Sequence, residues 1–196
     1  MSCAAYDTGR MRRVAHTVLY VPVPGLERYI RWRHEVEGPE WLSPDPDHTH
    51  AHITLLGPFV PEDEVTPQVD ADLAALFAAT EAFTFTLAEI RVFPSGLVHL
   101  HPDPAEPFER LTEALTARYP AHPPYAGEFP PVPHLSLCAL GPGRDLALVH
   151  EELATTLPVR AVAEEVLLVR YEEHGTGALR SYPLGRRGTG TVAGTG

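Results

Sequence analysis

Two short stretches of this 196-residue chain carry the same pattern of reactive side chains, His52-Ile53-Thr54-Leu55 and His134-Leu135-Ser136-Leu137. In an extended strand successive side chains point to opposite faces. Each histidine therefore shares a face with the hydroxyl two residues on, while the apolar residues between and after them point into a core. If the two copies face each other about a pseudo-twofold axis, two imidazoles and two hydroxyls surround one centre. That set suits cleavage of a phosphodiester by general acid/base catalysis. One neutral imidazole takes a proton from the attacking water, the other, protonated, gives one to the departing oxygen, and both titrate near pH ~6.5. Thr54 and Ser136 supply hydrogen bonds to the non-bridging oxygens, where negative charge is held in the transition state. No metal and no cofactor enters this scheme.

Other side chains offer alternatives. His48, His50 and His52 form an HTHAH run beside Asp45 and Asp47, which a zinc or manganese hydrolase could use. Under that reading the second motif has no purpose. His99 and His101 alternate along a candidate strand and could face the cleft or take a solvent or core-edge position. Arg170 and Tyr171 end a late strand, where they could hold a phosphate or stack a base. Cys138 shares the strand face of His134 and Ser136, so it could line the cleft, with a buried, inert thiol as the default alternative.

The elements that must carry these residues are legible as alternating patterns. His16 to Val23 reads as a strand ended by Pro24 and Gly25, followed by a helix with Leu26, Tyr29, Ile30 and Val36 on one side and Gly38 as its stop. His52 to Phe59 reads as a short strand. Asp70 can cap a second helix with Leu73, Leu76 and Phe77 inward. Phe83 to Phe93 and Leu97 to His101 read as strands joined by a Pro-Ser-Gly turn. Pro107 suits the first position of a third helix bearing Phe108, Leu111 and Leu115. After a Pro-rich loop, His134 to Leu140 reads as a strand. Leu146, Val149 and Leu153 mark a fourth helix, and Ala161 to Tyr171 and Leu179 to Leu184 close the chain as strands.

The order repeats, and His134 lies 82 positions after His52. The same offset lays Leu26-Glu27-Arg28 on Phe108-Glu109-Arg110, Pro22 on Pro104, and Thr54-Leu55 on Ser136-Leu137. An internal duplication is expected. It divides the chain into a tail at 1–13, one bilobal domain at 14–185 with repeats at about 14–96 and 97–185, and a Gly/Thr-rich tail at 186–196.

With both motifs, the HITLLGPF wording of the first, the repeat, and the closing segment Val166 to Leu184 with Tyr182 ahead of the last Pro-Leu, the chain resembles the 2H phosphoesterase superfamily. That group includes the 2′-5′ RNA ligase-like proteins and cyclic nucleotide phosphodiesterases. The resemblance implies an α+β fold of two lobes, each with an antiparallel sheet and outer helices, around a central cleft. It also implies metal-free hydrolysis of a ribose 2′,3′-cyclic phosphate, on a nucleotide or an RNA end, to a 2′-phosphate. His52 and His134 would be the catalysts, and Thr54 and Ser136 the phosphate ligands.

Composition narrows the partners. A formal charge of −11 disfavours long duplex nucleic acid, whose affinity comes from neutralised phosphates. A small nucleotide or an RNA 3′ end with a cyclic phosphate fits better. No apolar run reaches the roughly 20 residues that span a bilayer, and Met1 to Arg13 lacks a signal-like stretch, so a cytoplasmic monomer without membrane attachment is expected. Two cysteines give no disulfide framework. The competing functions are RNA ligation or end processing, a metal-dependent hydrolase, and a non-catalytic nucleotide-binding module.

Overall fold

A computed structural model describes residues 15–39, 42–141, 143–172 and 175–185. The two expected tails lie outside the described residues. Among these, eight strands and four α-helices alternate: β1 (His16–Pro22), α1 (Pro24–Glu37), β2 (His52–Leu56), α2 (Pro67–Ala78), β3 (Phe83–Val92), β4 (Leu97–Asp103), α3 (Glu106–Arg118), β5 (Leu135–Ala139), α4 (Leu146–Leu153), β6 (Val159–Ala163), β7 (Glu165–Glu172) and β8 (Gly175–Pro183).

The strands form two four-stranded antiparallel sheets, in the orders β2-β1-β7-β8 and β5-β4-β3-β6. This is the α+β, two-sheet architecture expected. The sheets do not coincide with the sequence repeats, however. β3 lies in the first repeat but builds the second sheet, and β7 and β8 return from the second repeat to complete the first. The helices cross over as well, with α3 packing on β2 and α1 reaching β6. One continuous core therefore runs through both sheets, from Leu19, Ile53 and Leu168 in the first to Leu87, Leu100 and Leu135 in the second.

Local signals set most element boundaries. α4 begins where Asp145 accepts a hydrogen bond from the Leu148 N–H, at 3.0 Å. α2 starts earlier than expected: Thr66, not Asp70, is the cap, accepting from the Val69 N–H. Asp70 instead accepts a 2.7 Å hydrogen bond from the buried Tyr182 hydroxyl, tying α2 to β8. The stretch expected as a single strand, Ala161 to Tyr171, is two strands in different sheets, separated at Glu164.

Strand pairing also refines the repeat. Tyr20 lies opposite Thr54, and His99 lies opposite Ser136, so Tyr20 and His99 are counterparts, 79 positions apart. The first helix of each repeat, α1 and α3, and the motifs keep the offset of 82. Three extra residues therefore separate the paired strand from its helix in the second copy, and Pro22 does not correspond to Pro104.

Candidate active site

β2 and β5 are the edge strands of their sheets, and they touch each other. This brings the two motifs together. Each motif strand has the same irregularity immediately after its hydroxyl residue. Thr54 pairs with Tyr20 but Leu56 with Leu19, leaving Leu55 extra; Ser136 pairs with His99 but Cys138 with Val98, leaving Leu137 extra. These are one-residue β-bulges, which re-aim side chains and are common beside active sites. Their consequence is that Leu55-Leu56 and Leu137-Cys138 all turn into the core. Cys138 thus leaves the face of Ser136, contrary to simple alternation, and burial raises its thiol pKa.

A bulge leaves a backbone carbonyl without a ladder partner. In the first copy the Thr112 hydroxyl on α3 donates to Leu55 O at 3.1 Å, which accounts for a buried threonine in an otherwise apolar helix face.

The two catalytic candidates are held in the same way. His52 donates its Nδ1–H to the carbonyl of His50 at 2.8 Å, and His134 donates its Nδ1–H to the carbonyl of Val132 at 2.7 Å. A ring that gives up Nδ1–H in this manner is fixed in one tautomer, with its Nε2 lone pair directed away from the backbone. Both copies therefore direct Nε2 away from the backbone.

The surroundings of the two rings differ. Tyr20 stacks on His52 with ring centroids 4.2 Å apart, and its hydroxyl lies 3.5 Å from His48 Nδ1. His134 meets Phe93 edge-on at 4.9 Å and His99 at 5.4 Å, with Phe93 and His99 stacked on each other at 3.9 Å. Burial is the main cause that lowers the His52 pKa to about 4; the His50 carbonyl opposes it, and the charge of His134 adds to it. The His134 pKa is also lowered, by burial first and by His101, against the Val132 carbonyl. Burial and His134 lower His99 to about 4. The charge of His134 acts on His52, which puts the two rings within one electrostatic neighbourhood.

The hydroxyls occupy unequal places, Thr54 half-buried and Ser136 exposed. A cavity of about 550 Å³ opens beside Thr54, bounded by Gly57, Thr112, Tyr125, Val132 and Pro133, so it reaches the segment that carries His134. Its wall includes Tyr125, which with its neighbour Ala126 stands at φ 53, a left-handed conformation that is costly for side chains with a Cβ. The Tyr125 N–H donates to Gly57 O at 2.8 Å, which pins this turn against the first motif.

The late-strand pair divides. Tyr171 lies on the Tyr20 face of the first sheet, stacked against His16 with centroids 5.8 Å apart. Arg170 points to the other face, with Thr17 and Leu168, and forms ion pairs with Glu62 at 3.0 Å and Glu172 at 3.5 Å. Alternation within β7 forces this separation, so Arg170 is not brought to the motif histidines.

The HTHAH run does not assemble as three parallel ligands. His50 uses both ring nitrogens: Nδ1 donates to Glu27 Oε1 at 2.7 Å, and Nε2 accepts from the Ser43 N–H at 3.0 Å. His48 is buried edge-on to His50, and burial lowers its pKa to about 3. Among the described residues no group of three or more His, Cys, Asp or Glu side chains is placed to hold a metal ion. Likewise, no helix among them is long and apolar enough to cross a membrane.

Sequence reasoning missed Tyr20, Glu27 and Phe93. Glu27 was visible as part of the repeated Leu-Glu-Arg and Phe-Glu-Arg triplets, although nothing in that match assigned it a role. Tyr20 and Phe93 become neighbours of the motif rings only through strand pairing and the β3–β4 turn.

Comparison with known proteins bears on the family and the fold. Residues 21–175 match the family model of the 2′-5′ RNA ligase superfamily. No curated protein sequence matches. Among solved structures, TT0787 of Thermus thermophilus is 20% identical, with 86% of this chain and 97% of that one aligned at a TM-score of 0.56. Escherichia coli LigT complexed with 3′-AMP is 17% identical over 86% of this chain and 97% of LigT, at a TM-score of 0.53. A complex of LigT with NADP+ gives 19% identity, 88% and 99% coverage, and a TM-score of 0.52. At these identities the likeness is one of fold.

Proposed function

The chain belongs to the 2′-5′ RNA ligase superfamily, and from that premise we propose that it is a metal-independent phosphodiesterase acting on a ribose 2′,3′-cyclic phosphate. The observation that carries this reading is the shared Nδ1–H to backbone carbonyl bond, which gives two histidines of one tautomer, each with Nε2 available for proton transfer.

In the proposed reaction the phosphate sits between the two Nε2 atoms, with the Thr54 and Ser136 hydroxyls donating to its non-bridging oxygens. One imidazole removes a proton from water as the water oxygen bonds to phosphorus. The phosphorus–O3′ bond breaks, the other imidazole delivers its proton to O3′, and a 2′-phosphate with a free 3′-hydroxyl results. The next cycle requires one proton to pass from the first histidine to the second, through solvent. Depressed histidine pKa values favour neutral rings before substrate binds. A bound phosphate anion would raise the proton affinity of the nearer ring and create the charged acid where it is needed.

The substrate class follows from charge and shape. A net charge of −11 suits one phosphate at a time, on a nucleotide or at an RNA end, better than a long strand. The LigT structures with 3′-AMP and NADP+ show that a protein of this fold takes up small nucleotides. The test is a screen of the purified protein against 2′,3′-cyclic mononucleotides, oligonucleotides ending in a cyclic phosphate, and 2′-5′ linked dinucleotides, with a chelator present. Hydrolysis to the 2′-phosphate under chelation is expected. Binding without turnover would turn the reading into a nucleotide-binding module, and activity restored only by zinc or manganese would turn it into metal catalysis.

A further inference from the structure

Glu27 lies on α1, outside both motifs, yet it grips the residues just ahead of the first one. Its Oε1 accepts the His50 Nδ1–H at 2.7 Å, and its Oε2 accepts the Ala51 N–H at 2.8 Å. The Ala51 N–H and the His50 carbonyl belong to a single peptide group. Because that group is planar and trans, fixing the direction of the N–H fixes the direction of the carbonyl on its other side. That carbonyl is the acceptor of the His52 Nδ1–H, at 2.8 Å.

The His50 ring is held from its other end too. Its Nε2 accepts the Ser43 N–H at 3.0 Å, while the Ser43 hydroxyl donates to Thr176 O on β8 at 2.7 Å. The Val23 N–H donates to Ala51 O at 2.8 Å, closing the lattice on the β1 side. These bonds hold the 50–51 peptide from both sides.

Among the described residues the second copy shows no such carboxylate grip, and a proline stands in its place. Its equivalent peptide joins Val132 to Pro133, where the proline nitrogen bears no hydrogen for a carboxylate to grip and the ring restricts the backbone. Glu109, the counterpart of Glu27 by sequence, is exposed on α3.

We propose that Glu27 is a positioning residue of the site, acting on His52 through the 50–51 peptide that it holds with one oxygen and the His50 ring that it holds with the other. The inference rests on the reading of His52 as a proton carrier. The groups facing His52 are His134 across the cleft, the Tyr20 ring, His48, His50 and Glu27 itself. Of these, Glu27 favours the protonated ring, while His134 and His50 oppose it. Glu27 remains ionised throughout, because although burial raises its pKa, the His50 ring and the backbone N–H groups outweigh burial and bring it to about 2.

The experiment is an NMR titration of the full chain labelled with 15N in its histidine rings, for the parent, Glu27→Gln and Glu27→Asp, beside single-turnover rates on the best cyclic nucleotide. In the parent, His52 should report a single Nδ1–H tautomer. In Glu27→Gln its tautomers should mix and its titration should move to lower pH, while the His134 signals stay where they were. Turnover should fall by about tenfold or more with little change in KM, the size expected when a reacting group loses its orientation. Glu27→Asp keeps the charge but shortens the reach, so it should restore most of the titration and little of the tautomer. It also serves if the Gln variant does not fold. An unchanged His52 tautomer and titration in these variants would overturn the inference. If the ring signals change as expected while the parent hydrolyses none of the substrates, the positioning role stands and the proposed reaction fails.

Discussion

The two halves of the site reach one arrangement by different means. In the first half a carboxylate on α1 holds the peptide ahead of His52, a tyrosine stacks on the imidazole, and a threonine from α3 satisfies the bulge carbonyl. In the second half a proline stiffens the peptide ahead of His134, and the stacked Phe93–His99 pair meets the imidazole edge-on. What both halves retain is the bond from Nδ1–H to the carbonyl two residues back, the bulge after the hydroxyl residue, and the position on an edge strand. The two halves share the geometry around the motif rings while their supports diverge.

The most severe way to break the comparison is to remove the imidazoles. His52→Ala and His134→Ala should each lower single-turnover rates by about 10²–10⁴-fold, the usual worth of general acid/base help. Together they should cost less than the product of the two, because acid and base act in one step. Unchanged circular dichroism would show that the fold survives. If one variant keeps a nearly normal rate, the two halves are not chemical equals and only the other carries a proton. The pH–rate profile of the parent should be bell-shaped, with its limbs belonging to the coupled pair.

The hydroxyls sharpen the comparison at smaller scale. In the proposed reaction each contributes one hydrogen bond to a charged oxygen, about 1.5–3 kcal/mol, or one to two decades in rate. Thr54 is half-buried beside the cavity and Ser136 is exposed, so water replaces the lost donor more readily at Ser136. Thr54→Val should therefore cost more than Ser136→Ala in the same single-turnover assay. The reverse order would mean that phosphate sits closer to the second half. A purely structural asymmetry is tested by Thr112→Val, which strips the Leu55 carbonyl of its donor. Urea unfolding should show a loss of about 1–3 kcal/mol, the cost of an unsatisfied buried polar group.

How much of this was legible in the sequence follows from what depends on local pattern. The motifs, the helices and most strand starts did, since His-x-Thr/Ser-Leu, the Gly38 stop of α1 and the Pro-Gly stop after β1 are each short-range signals. The passage from β6 to β7 did not. Ala163-Glu164-Glu165 contains no glycine or proline, and only the pairing of β6 with β3 and β7 with β1 separates the two strands. The bulges were hidden for a related reason: a run such as Leu-Ser-Leu-Cys looks evenly alternating until the partner strand skips a residue. That one skip moved Cys138 from the cleft to the core. Regular alternation within β7 was predictable, and it separates Arg170 from Tyr171, but which face served the site depended on the sheet order. Glu27 was invisible as a functional residue because its effect passes through a peptide 24 positions away.

The smallest expected effect concerns stability against acid, and it separates the halves by their buried histidines. The first half buries His48, with a pKa lowered to about 3, beside His52 at about 4, while the second buries His99 at about 4. A histidine with a lowered pKa in the folded chain binds its proton more readily when unfolded, near the ordinary value of 6.5. Its favourable contribution is complete above pH 6.5 and is lost as pH falls toward the folded value. Glu27 acts in a lower window. Its pKa, depressed to about 2 from 4.5, contributes stability that is intact above 4.5 and lost as pH falls toward 2. Between pH 6.5 and 4.5 the slope of unfolding free energy therefore reports the histidines without Glu27. One fully titrating group gives about 1.4 kcal/mol per pH unit. His48→Gln removes one such group from the first half, so urea unfolding across this window should flatten by up to that amount. His99→Gln should flatten it similarly from the second half. Equal slopes in the parent and both variants would mean that these rings gain access to protons without unfolding, and that burial does not distinguish them from ordinary surface histidines.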